Sequence, residues 1–148
     1  MDNVIIMPYH PKYAEQTVAM WRKSKEEAIG QEDIHSFENH VHFLKEILVE
    51  KYKIELALMN EEVVGIIVYH VSEINQLYIH VDYQGMGIGN RLLAIAKERS
   101  KGKLSLYTFQ KNKKAQRFYE KQGFKIVSKG HQNEEKLPDF KYEWISQD

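Results

Sequence analysis

The 148-residue chain has no cysteine, which excludes disulfides and a cysteine nucleophile and is compatible with a reducing cytosol. It has no excess of charge of either sign: 21 Lys and Arg balance 21 Asp and Glu. No global basic field therefore points to nucleic acid. Long hydrophobic runs are missing too, and no stretch approaches the ~20 apolar residues of a membrane span. The N-terminus, Met1 to Pro8, lacks a basic segment, and its apolar run is too short for a signal peptide. These absences predict a soluble, cytoplasmic protein without a nucleic-acid or membrane partner. Repeats, low-complexity segments and linkers are absent as well. A hydrophobic content of 43% and a charged content of 28% suit a globular protein. The length suits one domain over residues 1–148, able to bury about two-thirds of its unfolded surface.

What is present is an alternation of strand and helix patterns. Val4 to Met7 reads as a strand closed by Pro8. Lys12 to Lys23 places Ala14, Val18 and Trp21 on one helical face. Ser24 to His35 is polar and carries Gly30, and reads as a helix end followed by an irregular link. Ser36 is the expected N-cap of a second helix, with Phe37, Val41, Leu44 and Leu48 on one face. Three strands are expected next, over Lys53 to Met59, Val63 to Val71 and Ile74 to Val81, the second apolar enough for a central strand. A helix carrying Leu92, Leu93 and Ala96 follows, then a strand over Leu104 to Phe109. Asn112 caps a last helix that ends at Gly123. Phe124 to Ser128 and Phe140 to Ile145 close the chain as strands. The order β-α-α-β-β-β-α-β-α-β-β predicts one mixed α/β domain.

The chemistry concentrates between the third of those central strands and the helix after it. Leu77 to Val81 is β-branched and aromatic, and Gln84-Gly85-Met86-Gly87-Ile88-Gly89 then puts glycine at every second position. Glycines there permit positive φ and close approach, while the first-turn N–H groups of the helix are unpaired. Those donors and the helix dipole suit a phosphate or pyrophosphate. The loop is not a P-loop, because no Lys-Ser/Thr follows it. It also fails the last position of the dinucleotide fingerprint and lies past the chain's midpoint. A tight turn with no ligand is the alternative.

Gln-x-x-Gly-x-Gly, after a Leu-Tyr-Ile strand and before an Asn-Arg-Leu-Leu helix, resembles motif A of the GNAT N-acetyltransferases. Asn112 to Phe124, with Phe118-Tyr119 at its centre, resembles their motif B, in the right order and at a fitting spacing. The resemblance implies a single-domain GNAT-like fold with a central mixed sheet of about seven strands and about four flanking helices. It implies an acyltransferase that moves the acetyl group of acetyl-CoA to a primary amine by direct attack on the thioester. The alternative is a catalytically silent acyl-CoA-binding sensor or interaction module. A monomer or homodimer is expected.

The resemblance also distributes roles. Gln84, Gly85, Met86, Gly87, Ile88, Gly89 and Asn90 would hold the pyrophosphate. Ile79, His80 and Val81 would pair with the pantetheine arm, on a strand that splays from its neighbour; Val81 stands where the family often has proline. Asn112 would contact the same arm, or serve only as a helix cap, and Phe118 would border the cofactor. Tyr119 matches a tyrosine that protonates the departing thiolate; its other reading is core packing. Glu73 stands near a glutamate base of some relatives, or is simply a solvated turn residue, while Gln76 cannot titrate. His80 reads as a base or as a satisfied strand histidine. Lys111, Lys113, Lys114 and Arg117 would steer phosphates or form a solvated face. His40 and His42 lie on different sides of a helix, so no metal is expected. Ser24 to Ser36 and Gly130 to Asp139 should line the acceptor site. Both are acidic, through Glu26, Glu27, Glu32, Asp33, Glu134, Glu135 and Asp139, which favours a cationic amine.

Overall fold

A computed structural model describes residues 3–147. A seven-stranded sheet in the order β1-β2-β3-β4-β5-β7-β6 carries helices on both faces. The strands are β1 (Val4–Pro8), β2 (Lys53–Met59), β3 (Glu62–His70), β4 (Glu73–Ile79), β5 (Lys103–Phe109), β6 (Lys125–Gly130) and β7 (Asp139–Ile145). Every neighbouring pair is antiparallel except β4 and β5. Helix α1 is Ala14–Ile29. Helix α2 opens with Phe37–His42, passes through a π-helical stretch, Phe43–Leu48, and ends with Val49–Lys51. Helices α3 (Ile88–Arg99) and α4 (Lys113–Lys121) follow. The seven-stranded mixed sheet and its four flanking helices are those the resemblance implies. Among the described residues no helix is long and apolar enough to cross a membrane.

The run Val63 to Tyr69 is apolar throughout because β3 is buried on both faces. Val63, Ile66 and Val68 pack with Val18, Trp21, Leu44 and Leu48 of α1 and α2. Val64, Ile67 and Tyr69 pack with Leu92, Leu93 and Ala96 of α3 and with Tyr119 of α4. The faces exchange at a bulge: Ala57 pairs with Gly65 and Leu58 with Val63, leaving Val64 extra. Phe140, Tyr142 and Trp144 face the second of these cores, as their alternation with Lys141, Glu143 and Ile145 predicts.

Among the boundaries that differ from expectation, two shape the site. Helix α1 does not end near Lys23 but continues to Ile29, because Ser24 and Ile29 on its inner face are buried. Gly30 stops it at φ 67°, with its N–H donating to Glu26 O. Strand β4 ends at Ile79, two residues short of Val81. There the His80 ring accepts from the Asp82 N–H at 3.0 Å and caps a 3-10 turn, Val81–Tyr83. The caps at Ser36 and Asn112 are as expected, accepting from Asn39 N at 3.1 Å and Ala115 N at 3.2 Å.

Candidate active site

Strands β4 and β5 run side by side only at their start, where Glu73 stands opposite Ser105. Beyond that they part. The His80 N–H donates to Val64 O at 2.9 Å, so strand alternation turns the backbone groups of Tyr78 and His80 toward β3. Those of Leu77 and Ile79 consequently face the gap, with no β5 partner opposite. The Ile79 carbonyl is occupied there by two donors, Ser24 Oγ and Gln84 Nε2, each at 3.0 Å.

Two cavities meet at this split. The smaller, of about 610 Å³, lies between the glycine loop, the start of α3 and α4. The larger, of about 1110 Å³, lies between α1, α2 and the β5–β7 side of the sheet. Both are lined by Leu77, Tyr78, Asn112, Ala115 and Tyr119, which therefore form the passage between them.

The smaller cavity is built from local backbone. Gly85 and Gly87 adopt φ 81° and 85°, and a Cβ on either would meet nothing within 4 Å. Helix α3 starts after Gly87 without a side-chain cap, and its first helical hydrogen bond runs from Arg91 N to Gly87 O at 3.2 Å. The N–H groups of Ile88, Gly89 and Asn90 precede that bond and have no helical acceptor. Gly89 has a different reason to be glycine: a Cβ there would lie 3.2 Å from Phe118 Cζ. Gln122 Nε2 donates to Asn90 Oδ1 at 3.0 Å, tying α4 to the same turn. Lys111, Lys113, Lys114 and Lys121 border the cavity, whereas Arg117 does not. Of the sequence-predicted cofactor residues, Ile79, Gln84, Gly85, Gly87, Ile88, Gly89, Asn90, Asn112, Phe118 and Tyr119 line this space. His80, Val81 and Met86 do not.

Tyr119 is 6% exposed, with its ring among Phe118, Phe124 and Tyr142 at 5.2, 5.5 and 6.2 Å. Burial, reinforced by Tyr78, pushes its phenol above the ordinary range, so it is protonated at neutral pH. Tyr78 is raised by burial first, then by Glu135 and Asp33. Two neutral phenols thus border the passage, one from β4 and one from α4. Tyr78 was missed from sequence, and Ser24 was expected at the acceptor site but lines the smaller cavity and meets the Ile79 carbonyl, since neither strand nor helix periodicity marks what a side chain meets across the fold.

The larger cavity takes Lys25, Asp33 and His35 from the segment after α1's midpoint, and Gly130 to Glu135 with Asp139 from the β6–β7 connection. Both are the segments expected from sequence. Their acidity is matched within the protein, however. Asp33 pairs with Arg22 at 3.7 Å and accepts from His35 N at 2.9 Å; Glu134 pairs with His35, and Glu135 with Lys25. Asp139 accepts from Asn133 Nδ2 at 2.9 Å. Burial alone would raise the Asp33 carboxyl, but the His35 N–H and nearby Lys25, His40 and Arg22 hold it below the usual range. His40, edge-on to Trp21 at 4.4 Å, is driven down to about 4 by burial, against the pull of Asp33, and is neutral at pH 7.

Glu73 does not reach this centre. Its carboxylate takes His70 Nε2 at 3.2 Å and the Tyr52 hydroxyl at 3.4 Å, and it lines neither cavity. The His80 ring is likewise spent on its turn and on Glu62 at 3.7 Å. Among the described residues no three His, Asp or Glu side chains converge in a group that could hold a metal ion.

The family model described as acetyltransferase (GNAT) domain matches residues 11–146. No curated protein sequence matches the chain. Among solved structures, an acetyltransferase of the GNAT family from Staphylococcus aureus superposes with a TM-score of 0.78 at 18% identity, over 96% of this chain and 98% of that one. An acetyltransferase from Thermus thermophilus gives 0.77 at 21% identity, over 98% and 99%. The PaiA N-acetyltransferase from Thermoplasma acidophilum, in complex with coenzyme A, gives 0.72 at 21% identity, over 97% and 99%. At these identities the superpositions speak for the fold, while the family match spans nearly the whole chain and includes both the glycine loop and Tyr119. The chain belongs to the GNAT acetyltransferase family and is an acyltransferase.

Proposed function

We propose that this acyltransferase uses acetyl-CoA to acetylate a primary amine by direct attack on the thioester. The observation that carries the reading is the meeting of the two cavities at the β4–β5 split, beside Tyr119. The smaller cavity fits acetyl-CoA. Unpaired N–H groups of Ile88, Gly89 and Asn90, and the open space over Gly85 and Gly87, suit a pyrophosphate. Lys111, Lys113, Lys114 and Lys121 supply positive charge around it. The edge facing the gap offers the Leu77 backbone groups and the Ile79 N–H to an extended amide arm, in the manner of an added strand, while the Ile79 carbonyl stays with Ser24 and Gln84.

The thioester supplies the activated acetyl group, and the larger cavity admits the amine. Attack from that side forms the C–N bond and breaks the C–S bond, with the Tyr119 hydroxyl donating its proton to the leaving sulfur and the proton shed by the acetylated nitrogen returning through water to Tyr119. Asn112 holds the start of α4 through its cap on Ala115, and so fixes Tyr119 at the passage. An amine with a pKa of ~8 to 10 arrives protonated and has to lose a proton first. Glu73 is engaged elsewhere, so water in the wide cavity takes that proton.

The test is CoA release across an amine panel, with Tyr119→Phe beside the wild type. The variant keeps the ring and its packing, so its calorimetric Kd for acetyl-CoA should hardly move. Its kcat should fall by roughly 10²-fold, the low end for a general acid. Turnover within a few-fold of wild type would remove Tyr119 from the mechanism. No CoA release with any amine, despite tight acetyl-CoA binding, would favour the silent acyl-CoA-binding module.

A further inference from the structure

The wall of the larger cavity and the loop across from it carry opposite charges. Arg22 and Lys25 project from α1, a 16-residue helix whose inner face is locked into the core. Their side chains are only 18% and 16% exposed. Arg22 is served by Asp33 on the same wall. Lys25 and His35 are served from across the cavity, by Glu135 and Glu134. Those glutamates sit in the connection between β6 and β7, which is shaped by its own Asn133: Oδ1 accepts from Leu137 N, and Nδ2 donates to Leu137 O and to Asp139. Two carboxylates are thus delivered by a loop, one onto the Lys25 ammonium that α1 holds in the larger cavity and one onto the His35 ring in the segment after that helix.

The two sides of these pairs are not equivalent. If a cationic acceptor took Glu135, Lys25 would stay anchored on its helix, mostly desolvated and without its partner, which is costly. If an anionic group took Lys25, Glu135, at 13% exposure as enclosed as Lys25, would have to swing out to water, which its place on a connection outside helix and strand allows, and the cation would remain paired throughout. Exchange therefore favours an anion arriving at Lys25. Burial keeps His40 beside it neutral, so it adds no competing charge. Uncharged Trp21, Tyr78, Asn39 and Gln76 line the cavity nearby, and the Asp33 carboxylate beside them is held by Arg22.

We infer that the acceptor is an amine that also carries a carboxylate, as an amino acid does, and that Lys25, assisted by His35, binds this carboxylate in place of the loop glutamates. The inference rests on the amine-acetylation reading above and deepens it by naming the class of acceptor. It replaces the cationic preference that the acidity of the two segments suggests. The acids are internal stand-ins for the acceptor's carboxylate, and their charge faces the protein's own cations. Lys25 is a specificity residue with no part in breaking or making bonds.

The experiment compares amines that differ only in the carboxylate: serine with ethanolamine, and phenylalanine with 2-phenylethylamine. Wild type should favour the amino acid by about 10-fold or more in kcat/KM. Lys25→Gln should erase that ratio through KM, with little change in kcat, and Lys25→Arg should retain most of it. Glu135→Gln should lower KM for the amino acid, since the stand-in is weakened. A preference for the decarboxylated amines, or a ratio unchanged in Lys25→Gln, would overturn the inference. Product binding gives a readout independent of turnover: with CoA present, calorimetry should find N-acetylserine tighter than N-acetylethanolamine in wild type and not in Lys25→Gln. Equal binding of the two, or none of either, overturns the carboxylate site. Failure of the acetylation reading would appear separately, as an absence of CoA release from every amine.

Discussion

The two cavities differ in what they are made of. The smaller is walled mainly by the glycine loop with the first turn of α3 and by α4, closed by β4 and by Ser24, Glu27 and Ala28 of α1, and its polar face combines main-chain N–H groups with the side chains of Lys111, Lys113, Lys114 and Lys121. The larger draws on α1, α2, β4, β5 and the β6–β7 connection, and its polar face consists of charged side chains paired across the fold. A backbone site is insensitive to pH and to most side-chain changes but intolerant of a wrong φ. A side-chain site is the reverse. The first suits a ligand part that never varies, and the second suits one that differs from enzyme to enzyme within a fold.

The largest expected effect breaks the backbone side of the comparison. Acetyl-CoA at 100 times its Kd should stabilise the native protein by about 2.7 kcal/mol and raise its thermal midpoint by several degrees. In Gly87→Val that rise should vanish. A β-branched residue at φ 85° costs roughly 1–2 kcal/mol, and its side chain fills the space over the loop. Differential scanning fluorimetry with and without acetyl-CoA measures this, and an undiminished shift would refute the pyrophosphate assignment.

The next tests the side-chain wall by its titration. The His40 pKa of about 4 lies below the usual 6.5 because the imidazole is buried. The unfolded chain therefore binds more protons than the native one between those values. Stability tied to His40 is complete above pH 6.5 and declines as pH falls toward about 4, by about 2.5 kcal/mol at pH 4.5. Urea unfolding at pH 7 and pH 4.5 should register a smaller acid loss in His40→Gln than in wild type. Equal losses would mean that His40 titrates as it does in the unfolded chain.

The smallest effect lies where the two regions touch. Ser24→Ala removes one of two donors on the Ile79 carbonyl and leaves Gln84 in place. A stability loss of about 1 kcal/mol is expected, with acetyl-CoA affinity changed by no more than a few-fold. A loss of affinity approaching that of Gly87→Val would show that β4's edge, rather than the loop, dominates cofactor binding.

By itself the sequence determined the local features of this protein. Alternating glycines, the caps at Ser36 and Asn112, the Gly123 stop and the strand and helix periods all answer to demands that a few neighbouring residues must meet, namely allowed φ values and paired backbone groups. The glycine loop, and with it most of the smaller cavity, could therefore be read from residues 77 to 124. Only the tertiary structure decided that α1 runs on to bring Ser24 to Ile79, 55 residues away, and Lys25 to Glu135, 110 residues away. It also decided that Glu73 turns to Tyr52 and His70, and that Tyr78 and Tyr119 share one passage. Such meetings depend on the order of strands in the sheet and on which core buries each helix. Those are set by packing summed over the whole chain, and no short run of residues carries them.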